Sequence, residues 1–87
     1  MTTDKNEIRA TVLKYLARAV DQVDPAAVDS SRSMKELGAN SIDIVEVVSS
    51  SMRELRIKVP RAQLNDLANI DELVDLLHRT AVEKAGS

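Results

Sequence analysis

A chain of 87 residues, 44% hydrophobic and 30% charged, has room for a single domain spanning 1–87 and lies clear of the disordered regime. Twelve basic against fourteen acidic side chains leave a net charge of −2, and Tyr15 is the one aromatic residue, so neither a nucleic-acid surface nor a membrane-seeking one is expected. With no Cys and a lone His78, disulfides, thiolate metal sites and intrinsic thiol chemistry are excluded, and acid–base catalysis is poorly supplied.

The N-terminal stretch from Met1 to Glu7 is polar and carries acids, unlike a signal peptide, and no apolar run reaches membrane-spanning length, so a cytoplasmic protein is expected. Ile8, Val12, Leu16, Ala19 and Val23 then recur at steps of three and four, predicting a first helix over about 4–22. Thr3 or Asp4 can cap its start, and Asp24-Pro25 is expected to end it, because the residue before proline is pushed out of the α region. Tyr15 reads as a boundary residue whose hydroxyl reaches water.

From Pro25 to Asn40 the apolar residues are scattered, which predicts a long loop pinned to the core by Val28, Met34 and Leu37. Within it, Ser33 and Glu36 have capping-box spacing, and Gly38 stands where that short turn should end. A second helix is predicted from Ser41 to about Leu55. Its apolar residues exceed one stripe: Ile44, Val47, Val48 and Leu55 form a core face, and Ile42, Val45 and Met52 form a second. The surplus stripe either widens the core or is a docking surface.

The alternating segment Arg56-Ile57-Lys58-Val59-Pro60 predicts an extended connector with Ile57 and Val59 turned inward. Pro60 suits the first position of a short third helix through about Leu67, with Leu64 and Leu67 as its buried pair. Asn69 can cap a fourth helix from Ile70 to about Glu83, buried through Ile70, Leu73, Val74, Leu77 and Ala81, after which Ala85-Gly86-Ser87 should fray. The expected fold is all-α: a small four-helix bundle of three main helices and a short third, with the long loop between the first two. Arg53, Arg56, Lys58 and Arg61 read as residues that face solvent or bias partner choice, and His78 has no second ligand at i+4, where Val82 lies.

Chemistry concentrates where the loop meets the second helix, at Gly38-Ala39-Asn40-Ser41-Ile42-Asp43. Gly38 permits a sharp turn, and Asn40 is suited to cap the helix. Ser41 is then left uncommitted at the first helical position, with Asp43 in the first turn, where a carboxylate favours the dipole. A phosphate ester on the Ser41 hydroxyl would lie near free amides and the positive helix end, worth about 0.3 to 1 kcal/mol.

Placed in a four-helix chain of this length, Leu37-Gly38-Ala39-Asn40-Ser41-Ile42-Asp43 resembles the attachment motif of the acyl carrier protein family, with Asn for Asp and Ile for Leu in its Asp-Ser-Leu. The likeness extends from the first helix through Asn69-Ile70-Asp71-Glu72-Leu73. It implies a non-catalytic carrier on which a phosphopantetheinyl transferase joins 4'-phosphopantetheine to Ser41, with Gly38 and Asn40 shaping the attachment turn. The terminal thiol of that arm would hold acyl groups as thioesters, which supplies the sulfur chemistry that a chain without Cys lacks. It further implies a monomer that presents Ile42, Asp43, Val45, Glu46 and Met52 to acyltransferase- and ketosynthase-type enzymes.

Carriers of housekeeping fatty acid synthesis are strongly acidic along the second helix, whereas Ser49-Ser50-Ser51-Met52-Arg53 is neutral to basic and Arg56, Lys58 and Arg61 follow. The chain is most similar to freestanding carriers of polyketide assembly lines in secondary metabolism, among them the donor carriers of β-branching cassettes, which deliver an acetyl-type unit to a hydroxymethylglutaryl (HMG) synthase homologue. Ile44-Val45 stand where that group often has a basic residue and alanine. Peptidyl or aminoacyl carriers and fatty-acid carriers are the neighbouring alternatives. A cofactor-free helical protein-interaction domain is the alternative from another class.

Overall fold

The computed structural model describes residues 4–64 and 67–86. Its elements are α1 (Lys5–Ala19), α2 (Ser41–Leu55), α3 (Arg61–Leu64) and α4 (Ile70–Ala85), with no strand among the described residues. The all-helical expectation is borne out. α1 lies against both α2 and α4 and is the spine of the bundle. Ile8, Val12 and Leu16 of α1, Val47 of α2, and Ile70, Leu73, Val74 and Leu77 of α4 are essentially sealed from water. Burying one such aliphatic side chain contributes roughly 1.5–3 kcal/mol, so this cluster dominates the stability of the fold.

Asp4 caps α1, its carboxylate accepting from the Asn6 amide at 2.9 Å. Thr3, the other candidate cap, lies outside the described residues. α1 ends at Ala19, three residues short of the expected 22, because Val20 turns extended and Val23 N–H bonds back to the Val20 carbonyl at 3.1 Å. Val20 and Val23, on either side of that tight turn, both pack against the core. Asp24 and Asp29 then shape the loop through Asx turns, each carboxylate accepting from the amide two residues on at 3.0 Å. Val28, Met34 and Leu37 pin the loop to the core as expected.

The loop also reaches α4. Ile70 N–H donates to the Arg32 carbonyl at 3.0 Å and Asp71 N–H to the Ser30 carbonyl at 2.9 Å. These amides belong to the first turn of α4, which has no acceptors of its own for them. Asn69 serves the next one, its side-chain oxygen accepting from Glu72 N–H at 2.8 Å.

α2 closes in a Schellman arrangement: Ile57 N–H reaches the Met52 carbonyl at 3.0 Å and Arg56 N–H the Arg53 carbonyl at 3.3 Å. Arg56 sits in the left-handed region at φ 57°, a position glycine usually fills. Ile57 and Val59 turn into the core as expected. Pro60 lies just before α3 rather than at its first position, its carbonyl accepting from Gln63 N–H. α3 is described only to Leu64; residues 65–66 lie outside the described set, and Leu67 is half-buried but not helical. α4 continues to Ala85, two residues beyond the expected end, with Gly86 N–H bonded to the Val82 carbonyl. Ala85 thus belongs to the helix, and Ser87 lies outside the described residues.

Helix-to-helix polar contacts converge on Glu54. Its carboxylate accepts from Lys14 Nζ at 2.6 Å, the Tyr15 hydroxyl at 2.8 Å and Thr11 Oγ1 at 3.2 Å. The hydroxyl of Tyr15, a boundary residue as expected, bonds α2 at the surface, because the turn of α1 that carries it runs beside Glu54. Lys14, then Tyr15, hold the Glu54 carboxyl below its usual range; slight desolvation opposes them and Thr11 adds to them. Lys5–Asp75 and Arg9–Asp71 pair α1 with α4 at the surface.

Candidate functional site

The turn before α2 is built from three local features. Ser33 and Glu36 form the expected reciprocal pair, Glu36 N–H to Ser33 Oγ at 3.1 Å and Ser33 N–H to Glu36 Oε1 at 3.3 Å. Gly38 then takes φ +104°, a value that side chains rarely adopt. Ala39 follows, buried in the core and bonded by its amide to the Met34 carbonyl at 3.0 Å. The chain thus enters α2 from a fixed point.

Asn40 caps the helix: its side-chain oxygen accepts from Asp43 N–H at 2.8 Å, and Asp43 Oδ2 accepts from Asn40 N–H at 3.2 Å. Both side chains are committed to each other. Asp43 is half-buried in that pair, so less of its carboxylate faces outward than a freely solvated acid would offer. Ser41 is exposed at the first helical position, and its hydroxyl has no partner among the described residues. The amides of Ser41 and Ile42 have no intrahelical acceptor at this end. A phosphodiester on the Ser41 oxygen fits this place: it would stand in water, beside open amides and the positive end of the helix dipole.

Among the large hydrophobic side chains described, Ile42, Val45 and Val82 are exposed, at 77%, 48% and 46%. Two of the three therefore flank Ser41. Glu46, also exposed, adjoins them on the same face. Met52 does not belong with them; it is half-buried against the core, because the second stripe rotates inward toward the C-terminal end of α2. Ser51 is fully buried and its Oγ lacks a partner. His78 is half-buried on α4. No described helix is long and apolar enough to cross a membrane.

A helical bundle that holds an unpartnered serine hydroxyl at a capped helix start, with apolar side chains beside it, has the arrangement that a prosthetic-group carrier requires. The family described as "Phosphopantetheine attachment site" matches residues 9–77, and the chain belongs to it. It is 28% identical over 75 residues to the "Polyketide biosynthesis acyl-carrier-protein AcpK" of Bacillus subtilis (strain 168), covering 86% of this chain and 92% of that protein. It is 28% identical over 74 residues to an acyl carrier protein of Campylobacter concisus (strain 13826), covering 84% and 90%. With the chloroplastic acyl carrier protein 1 of Hordeum vulgare it shares 31% over 80 residues, covering 92% of this chain and 54% of that one. No solved structure matches it.

The chain is accordingly an acyl carrier protein bearing phosphopantetheine, a non-catalytic carrier of a kind that meets phosphopantetheinyl transferases and acyl-handling enzymes.

Proposed function

We propose that Ser41 is the attachment residue and that the chain is a cytoplasmic carrier, monomeric, of polyketide biosynthesis in secondary metabolism. The observation that carries the assignment of Ser41 is the division of labour at the helix start. Asn40 and Asp43 satisfy each other, and the adjacent hydroxyl stays exposed and unbonded. Bound there, the arm supplies a terminal thiol that holds acyl groups as thioesters.

This chain's residues position and present. Gly38 and buried Ala39 set the direction of entry, and the Asn40–Asp43 box keeps the first turn of α2 from fraying. Ile42 and Val45 offer a small apolar contact beside the attachment point, with Asp43 and Glu46 at its edge and Met52 contributing only its outer surface. An area this small suits brief encounters, since contacts below about 1,200 Å² are typical of transient complexes.

The polyketide assignment is supported by the similarity to the Bacillus subtilis polyketide carrier and by the basic character of Arg53, Arg56 and Lys58 after α2 begins with acids. Acyltransferase- and ketosynthase-type enzymes are then the partners, and an acetyl-type donation to an HMG-synthase homologue is the specific role within that group.

Incubation with coenzyme A and a broad-specificity phosphopantetheinyl transferase, followed by intact mass measurement, tests Ser41. Wild type should gain one phosphopantetheinyl group and Ser41→Ala none. No gain in wild type, or an equal gain in both, removes the assignment. Identification of the thioester on protein taken from the producing cells tests the pathway, and a fatty acyl chain or an amino acid found there would replace the polyketide reading.

A further inference from the structure

The exposed face of α2 carries two opposite signs of charge. Ile42, Glu46, Ser49 and Arg53 follow one another at steps of four, three and four, so they share one stripe, and all four are exposed. Glu46 lies toward Ser41. Arg53 lies two turns further on, where Arg56 and Lys58 follow, both exposed. At a rise of about 1.5 Å per residue, the far end of α2 stands roughly 21 Å from Ser41.

At that far end the connector and α4 leave a hollow of about 480 Å³ lined by Arg56, Ile57, Lys58, Thr80, Glu83 and Lys84. Three cations face one acid there. Lys84 donates to the Arg56 carbonyl, an interaction that leaves its charge uncompensated. Arg53, Arg56 and Lys58 have no side-chain acceptor among the described residues. The nearby Glu54 points the other way, its carboxylate taken up by Lys14, Tyr15 and Thr11 of α1. Local positive charge thus collects in a concave site on a chain whose net charge is −2.

We infer that this hollow docks an acidic segment on the surface of an acyl-handling partner enzyme, so that the partner grips α2 at two points of opposite polarity. The inference rests on the proposed role of the exposed α2 face. At the Ser41 end the partner meets Ile42, Val45 and Glu46; at the far end its carboxylates meet Arg53, Arg56, Lys58 and Lys84. Opposite signs at the two ends fix the direction in which a partner lies along the helix, and so direct the attached arm toward one entrance. A partner with a uniformly basic surface would be repelled at the far end, which separates this carrier from enzymes that serve uniformly acidic ones.

The test uses the full chain, isotope-labelled, titrated at low ionic strength with an amphipathic helical peptide bearing a face of glutamates, and in parallel with a twin carrying glutamine instead. The glutamate peptide should shift the amides of residues 53–59 and 80–84, and the twin should not. Arg53→Glu/Lys58→Glu should weaken binding of the glutamate peptide by roughly three- to tenfold, the range for reversing two exposed charges. Arg53→Gln/Lys58→Gln gives a smaller loss and serves if the reversal disturbs the fold, which circular dichroism reports. Equal shifts with both peptides, shifts centred elsewhere, or undiminished binding by a folded variant overturns the docking site. Self-association of the wild type that the same substitutions abolish, seen by sedimentation, assigns the hollow to a second copy and also overturns it. Transferase loading is read separately on the same proteins: its absence in wild type removes the Ser41 assignment, whereas normal loading without peptide binding removes only the acidic-partner site.

Discussion

Replacement of Asn40 by alanine isolates what the cap does for the turn that presents Ser41. Asn40→Ala deletes the 2.8 Å bond that the side chain accepts from Asp43 N–H, while the backbone amide at position 40 keeps its bond to the Asp43 carboxylate. One first-turn amide is left to water. Loss of an N-cap of this type costs about 1 kcal/mol, within a range of 0.5–2. For a domain of this size, that corresponds to a fall in melting temperature of roughly 4–8 °C. Serine at the same position restores an acceptor of nearly equal quality, so Asn40→Ser should melt close to wild type. Thermal unfolding followed by circular dichroism measures the stability, and the rate of transferase loading measures the presentation of Ser41. Loading should slow in Asn40→Ala and recover in Asn40→Ser, because a frayed first turn spreads the hydroxyl over more orientations. Wild-type melting of the alanine variant, or equal losses in both variants, would refute the claim that this side chain holds the turn.

Two further outcomes follow from buried and bridging groups. Ser51 is fully buried with an unpaired Oγ, and an unsatisfied buried hydroxyl costs on the order of 1–3 kcal/mol. Ser51→Ala should therefore raise the denaturation midpoint in urea; a lowered midpoint would mean that the hydroxyl is satisfied. The Glu54 carboxyl is held below its ordinary value of 4.5 in the folded chain by Lys14 and Tyr15. A group whose pKa is depressed on folding contributes stability that is fully present above its unfolded value and is lost as pH falls through the folded one. The stability difference between wild type and Glu54→Gln should accordingly be constant above about pH 5.5 and shrink as the pH is lowered below about 4.5. A difference independent of pH down to about 3 contradicts the assignment.

The parts of this fold that were readable from the sequence are those encoded within a few residues of one another. The helical stripes of α1, α2 and α4, the Ser33–Glu36 pair, the Asn40 and Asn69 caps and the inward turn of Ile57 and Val59 all follow from spacing and side-chain chemistry. The discrepancies arise from contacts distant in sequence. α1 stops at Ala19, and Val20 turns extended and packs beside the distant Gly38, where an added carbon would lie 3.6 Å from Val20 Cγ1. No proline or glycine at 20 announces it. Tyr15 finds Glu54 across 39 positions, and Met52 is turned inward by the packing of α2, neither of which periodicity can express. The stop of α2 was recognisable only from the connector, since an arginine fills the left-handed position. At the site, the free serine beside a capping asparagine was legible. The involvement of Asp43 in a reciprocal box was less so, because it reads equally well as a solvated acid favouring the dipole.

The bonds from Ile70 and Asp71 to the carbonyls of Arg32 and Ser30 mean that the fourth helix borrows its opening acceptors from the span that leads to Ser41. Loosening either one strands the polar groups of the other. The long crossing segment is therefore a structural member of the bundle, tied by its backbone to the helix that follows it much later in the chain.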